Sequence, residues 1–324
     1  LSVGQGEPVN YALRNASVDL SKFDGIDEVL SHYYPSAYAP YQFNGGIYGL
    51  PETQNYNVLF YRTDIMEELG LEIPQTWDDF INMLPIIQQN NMSAGIPSVY
   101  NNANAPDLSS LLDLLFQNGG VLYNGTGEST QIDEEPGVNA FEMHTRFFTH
   151  YKLPTIYNFV NRFRSGEMPI GISSYSTYNT LVVFAPEIRG LWDFTMIPGI
   201  QKEDGTIDRS AHSWGNCSMM LQGAGDEEKA WQFMKWWADA ETQTRFGREL
   251  ESVMGSSARY ATANVDAFEG LAWSSKQMKV LKEQWAWTCG TPEVPGSYYT
   301  SRHLVNAVRK VIAASEDPRE TLLD

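Results

Sequence analysis

Aromatic rings and short polar side chains recur in this sequence at the places where one regular pattern gives way to another. Between a strand-like run stopped by Pro51 and an extended run at 57–61 lies Glu52-Thr53-Gln54-Asn55-Tyr56. That stretch is polar and aromatic where a chain merely crossing a core would be apolar. Tyr175, Tyr178 and Asn179 follow a strand-like segment at 168–172, and Trp214 stands beside Gly215. A strand running into a helix N-terminus is where open α/β sheets hold ligands, because the strand's carboxyl end and the helix's free N–H groups converge there. A glycine next to a tryptophan lets a backbone approach closely and suits a stacking platform. A pyranose presents an apolar C–H face that stacks on an aromatic ring, and a fringe of hydroxyls that pair with carboxylates, amides and guanidinium groups. The combination suits a sugar better than an ion or a phosphate. Tyr175 and Tyr178 fit a core equally well, as does Trp214.

Other chemistries have no local signature. There is no GxSxG elbow, HExxH pair or P-loop, and Gly4-Gln5-Gly6-Glu7-Pro8-Val9 lacks the third glycine of a dinucleotide fingerprint. The histidines His32, His144, His150, His212 and His303 stand singly, and the nearest pair, 144 and 150, falls on different faces of one helix. No catalytic metal or organic cofactor is therefore expected, while a structural calcium on an acidic loop is left open. Asp133-Glu134-Glu135 precedes Pro136 in a loop and reads as charged surface rather than as glycosidase carboxylates. Cys217 and Cys289, with no CxxC, read as two small buried thiols or as one disulfide. A formal charge of −18 disfavours nucleic acid and anionic membranes as partners. No run of apolar residues is long enough to span a bilayer.

The elements that must position these groups follow from periodicity. The chain has 324 residues, 42% of them hydrophobic, which suits two lobes better than one. Gly45-Gly46 marks a turn before a short strand at 47–50, and residues 64–69 form a helix closed by Gly70. Thr76 caps the best-defined helix, 76–90, with Asp79 in the reciprocal capping position and Pro85 as an expected kink. Helices are expected at Ser109–Gln117, 138–151 and 157–165, the last closed by Gly166. Ser173-Ser174 is expected to cap the next helix, 192–197 to form a strand, and 201–208 a hairpin turn around Asp204-Gly205. Residues 226–240 form a helix with an acidic first turn, whose Ala230, Trp231, Phe233, Met234 and Trp237 are expected to pack inward. Helices at 242–250 and 273–287 follow, and a last one begins after Ser297-Tyr298-Tyr299-Thr300. The pattern is α/β, without internal repeats.

In that order these segments resemble the extracellular solute-binding proteins of bacterial ABC importers, in the branch that includes the maltose-binding protein. The resemblance lies in YGLP at 48–51, FYR at 60–62, Asp64…Gly70, Pro74…Phe80, SGEMPIGIS at 165–173, DEEKAWQFMKWWADAETQ at 226–243, and GSYYTSRHL…DPRETLLD from 296 to the end. It implies a two-lobed periplasmic-binding-protein-like α/β fold with discontinuous lobes. Residues 1–53 and 217–288 would form the first lobe, 57–213 and 297–324 the second, with crossings near 53–57, 214–217 and 289–296. Members of the family begin well upstream with a secretion signal, a lipid-anchored cysteine and further strand–helix units. The resemblance thus implies that the first lobe is incomplete here, and that Leu1 opens a mature or trimmed chain. It further implies an extracellular or periplasmic, lipid-anchored monomer that closes like a hinge on a carbohydrate and delivers it to a membrane permease. Glu52, Asn55, Tyr56, Tyr175, Tyr178, Trp214, Tyr299 and Arg302 would line the cleft. A secreted carbohydrate-active enzyme using paired carboxylates is the alternative from another class, and a receptor for a peptide or another polar solute is a third.

Overall fold

A computed structural model describes residues 1–100 and 106–324. It is a mixed α/β chain that divides into two compact units. The first comprises Leu1–Tyr56, Ser213–Met278 and Thr288–Ser297; the second comprises Asn57–His212, Lys279–Trp287 and Tyr298–Asp324.

The first unit is built on a three-stranded antiparallel sheet. Its middle strand, Asn216–Ser218, pairs on one side with Ser2–Gly4 and on the other with Leu50–Pro51, so that Cys217 lies opposite both Val3 and Pro51. Pro51, without an N–H to donate, takes an edge. Val18, Leu20, Phe23, Val29, Tyr33, Leu50, Met220, Trp231 and Met234 form the core. Trp231 stacks on Phe23 with ring centroids 5.3 Å apart, and its indole N–H donates to the Asp24 carbonyl at 3.1 Å. Helices Glu227–Ala238 and Ala240–Met254 start at aspartates whose carboxylates accept first-turn N–H groups: Asp226 from Lys229 N, and Asp239 from Glu241 N and Thr242 N. Of the face expected to pack inward on the first of these helices, Trp231 and Met234 are buried, whereas Phe233 is exposed together with Trp236.

The second unit is organised on strand Asn55–Arg62, which from Asn57 onward runs antiparallel between Ile170–Ser174 and Trp192–Thr195; Ala94–Gly95 adds a parallel edge. Val58, Leu59 and Phe60 are fully buried, as a strand covered on both faces requires. The Phe60 ring lies among Phe159, Phe163, Trp192 and Phe194 at 5.8–6.4 Å. Arg62 ends the strand with a two-pronged pair to Asp64, at 2.9 and 2.6 Å, and a bond to the Phe163 carbonyl. Helix Trp77–Gln89 begins with the expected reciprocal cap between Thr76 and Asp79 and continues through Pro85. Trp77 donates its indole N–H to Gln117 Oε1 at 2.7 Å, tying it to helix Ser109–Gln117. The hairpin of Ile200–Gln201 with Ile207–Asp208 turns at Gly205, whose φ of 84° favours glycine.

Two expectations are corrected here. Ser173 and Ser174 belong to strand Ile170–Ser174, opposite Val58 and Asn57, and the following helix starts only at Thr177. Sheet pairing takes precedence because both residues sit in register with a fully paired strand. Residues 279–287 group with the second unit rather than the first. Gln284 holds them there: its Oε1 accepts from Ile197 N at 2.9 Å and its Nε2 donates to the Arg209 carbonyl at 3.0 Å. Cys217 is buried and Cys289 half-buried, and no disulfide joins them.

Candidate functional site

In the first unit, the backbone beyond Pro51 is held tightly enough to fix which side chains point outward. Glu52 N donates to Asn216 O at 2.9 Å, and the Glu52 carbonyl accepts from Ala263 N at 3.0 Å and from the Tyr260 hydroxyl at 3.1 Å. Gly215 lies so close that a Cβ there would be 1.8 Å from the Thr53 carbonyl oxygen. The alternation of an extended chain then sends Gln54 and Tyr56 inward. Gln54 donates to Ser36 Oγ at 3.0 Å and to Ser213 Oγ at 2.9 Å. Tyr56 is 1% exposed. Asn55, half-buried, faces Trp214, also half-buried, across an antiparallel pair.

The Glu52 carboxylate is held by three side-chain donors of this unit. Its Oε1 accepts from the Trp237 indole N–H at 3.0 Å and from the Ser218 hydroxyl, and its Oε2 accepts from Ser2 Oγ at 2.5 Å. Its charge is felt around it. The Tyr260 phenol and the Cys217 thiol are pushed up by burial first and by Glu52 second. Cys217 therefore stays a protonated, unreactive thiol at neutral pH.

In the second unit, Tyr175 is 2% exposed, a core ring. Tyr178, on helix Thr177–Phe184, is half-buried and lies 5.4 Å from Trp192 and 5.8 Å from Phe194. Tyr299 and Arg302 sit in the first turns of helix Ser297–Ala314 rather than in a loop ahead of it. Tyr299 is 64% exposed, and it lines a cavity of about 480 Å³ with Thr130, Ile132, His303, Leu304 and Lys310. The structure thus leaves Glu52, Asn55 and Trp214 accessible in one unit and Tyr178, Tyr299 and Arg302 in the other. Tyr56 and Tyr175, the other two aromatic candidates, are buried.

Sequence reasoning missed Trp192, the half-buried neighbour of Tyr178, and Trp237, Ser218 and Ser2, the partners of Glu52. Trp237 borders a cavity of about 630 Å³ lined also by Trp236, Asp239, Arg245 and Phe246. The tryptophan cluster of its helix reads as packing because only three-dimensional neighbours separate the buried Trp231 from the exposed Trp236.

Catalytic arrangements do not emerge from these groups. Asp133, Glu134 and Glu135 are exposed at the start of helix Glu135–Thr149. Asp113 is fully buried and accepts from Asn57 Nδ2 at 2.8 Å and His212 N at 2.7 Å, a structural role at the ends of two strands. Burial pushes its carboxyl up to about 7, against those two hydrogen bonds. Among the described residues no group of three His, Cys, Asp or Glu side chains is placed to hold a metal ion. Among the same described residues no helix is long and apolar enough to cross a membrane.

The model of a family described as bacterial extracellular solute-binding protein matches residues 4–266. The multiple sugar-binding protein of Streptococcus mutans is 35% identical over 48 residues, a stretch that makes up 15% of this chain and 11% of that protein. Among solved structures, the sugar-binding protein MalE of Xanthomonas citri is similar with a TM-score of 0.80 and 15% identity, over 99% of this chain and 80% of that one. An ABC transporter solute-binding protein of Thermotoga lettingae bound with α-D-tagatose gives 0.76 and 15%, over 99% and 82%. UgpB of Mycobacterium tuberculosis in complex with glycerophosphocholine gives 0.73 and 15%, over 100% and 80%. At such identities these likenesses establish the fold.

Proposed function

Because the chain belongs to the bacterial extracellular solute-binding proteins, a family of binding proteins rather than enzymes that works outside the cytoplasmic membrane, we propose that it captures a sugar or oligosaccharide and hands it to the permease of an ABC importer. The observation that carries the carbohydrate reading is the Glu52 carboxylate, fixed by neutral donors on the same unit as the half-buried Trp214 and Asn55. An anionic acceptor with aromatic and amide groups on its unit matches a ligand made of hydroxyl donors and apolar ring faces. Tyr178, Tyr299 and Arg302 are proposed to supply the complement from the second unit. A ligand that touches both units would favour a closed state over an open one, which makes recognition and the signal to the transporter one event. A single chain suffices for this, and a lipid anchor belongs to the same reading through the family resemblance alone.

Thermal unfolding against a panel of mono- and oligosaccharides tests the proposal. A ligand at one hundred times its dissociation constant adds about 2.7 kcal/mol to stability, a readily measured rise in midpoint. A rise with at least one sugar is expected. A rise with peptides or glycerophosphocholine and with no sugar would replace the carbohydrate assignment.

A further inference from the structure

Glu52 is held at both ends. Its main chain is fixed by Asn216, Tyr260 and Ala263, and its carboxylate by Ser2, Ser218 and Trp237. The side-chain donors come from three separate elements of the first unit: strand Ser2–Gly4, strand Asn216–Ser218 and helix Glu227–Ala238. The Trp237 ring is itself braced, 5.0 Å from Phe246 at 73°, and Phe246 lies 5.1 Å from Tyr260 at 86°. The Trp237 carbonyl accepts from Gln243 Nε2 at 2.7 Å. The indole, the phenyl and the phenol thus form a closed brace that begins and ends on Glu52.

A carboxylate offers about four acceptor positions. Two on Oε1 are taken by Ser218 and Trp237, and one on Oε2 by Ser2. Among the described residues no further donor reaches Oε2, which leaves it one acceptor position. All three partners are neutral donors, so they orient the charge without cancelling it. A cation such as lysine in their place would have neutralised it.

We infer that Trp237, Ser218 and Ser2 are positioning residues that hold Glu52 as an oriented anionic acceptor, and that the remaining position on Oε2 takes a ligand hydroxyl and discriminates against phosphate-bearing ligands. This rests on the sugar-capturing reading above and deepens it by assigning a source of selectivity. A hydroxyl donates into the open position, whereas a phosphate meets a fixed like charge. Loss of one brace leaves the carboxylate free to turn, so part of the ordering it lacked before binding must then be met on binding.

The test compares wild type with Trp237→Phe, Ser218→Ala, Ser218→Thr and Glu52→Gln by calorimetry, with maltose, D-tagatose and glycerophosphocholine as probes. Wild type is expected to bind a sugar more tightly than glycerophosphocholine. Trp237→Phe and Ser218→Ala should each weaken the sugar about 10-fold, the scale of one hydrogen bond to a charged group. Ser218→Thr, which keeps the hydroxyl, should restore it. Glu52→Gln should narrow the ratio of sugar to phosphodiester affinity, a readout that general structural damage would not move, because damage lowers both together. Sugar binding that is unchanged in Trp237→Phe and Ser218→Ala, or falls in proportion with the phosphodiester, overturns the positioning role and leaves the functional reading standing. A wild type that binds neither maltose nor D-tagatose, or prefers glycerophosphocholine, overturns the reading on which the inference rests.

Discussion

Replacing Asp113 by asparagine changes how the second unit responds to pH, and the size of the change follows from burial. Asp113 is fully buried, and its carboxyl is pushed from the ordinary 3.8 up to about 7 by loss of water, against hydrogen bonds from Asn57 and His212 N. The folded state therefore holds the proton more tightly than the unfolded chain. The contribution of this group to stability falls as pH rises from about 4 to about 7 and is level above that. A shift of about 3 units at about 1.4 kcal/mol each amounts to about 4 kcal/mol. His144, pushed down to about 4 by burial, acts in the opposite sense. Its stabilising share is full above its ordinary 6.5 and is lost as pH falls toward 4. His212, likewise pushed down to about 4 by burial, adds to this opposing slope in wild type, so only the difference between wild type and Asp113→Asn isolates the carboxyl. The amide turns an NH₂ toward one of two donors, a roughly constant cost of about 1–3 kcal/mol. Hydrogen exchange in helix Ser109–Gln117, read from pH 4.5 to 8, should show the stability of wild type relative to the variant dropping by up to about 3 kcal/mol across that range, since part of the slope lies below pH 4.5. A pH-independent difference would refute the argument that burial dominates at this carboxyl.

Three further substitutions probe the frame. Gly215→Ala places a Cβ 1.8 Å from the Thr53 oxygen, and thermal unfolding should record a loss of at least about 3 kcal/mol, since backbone rather than a movable side chain must yield. Phe60→Ala, at a site with no exposure among four aromatic rings, should cost about 3–5 kcal/mol in urea unfolding. Thr76→Ala removes the bond to Asp79 N at 3.1 Å and should cost about 1 kcal/mol in the same assay.

What the sequence disclosed was whatever depends on near neighbours. Thr76 and Asp79 announce their helix because a reciprocal cap joins residues three apart. Gly166 closes helix Phe159–Ser165 with a φ of 85° for the same local reason. The organisation around Glu52 was hidden, since Ser2, Ser218 and Trp237 are 50, 166 and 185 residues away along the chain. Ser173-Ser174 looked like a cap because two serines precede a helix, but the decision belonged to Asn57 and Val58 across the sheet. Tyr56 and Tyr175 show the limit of residue type as a guide to a site. An aromatic at a strand end serves a core or a ligand equally well, and only the burial of the folded chain separates the two. The two-lobed fold itself was legible through the ordered series of motifs, each weak alone.

The central claim, that this protein captures a sugar without altering it, is tested most directly by titrating the chain calorimetrically with a panel that includes maltose and D-tagatose and recovering the bound ligand. The account predicts saturable binding of one sugar per chain, with maltose returned uncleaved after prolonged incubation. Absence of binding heat with every sugar, or release of glucose from maltose, would contradict it.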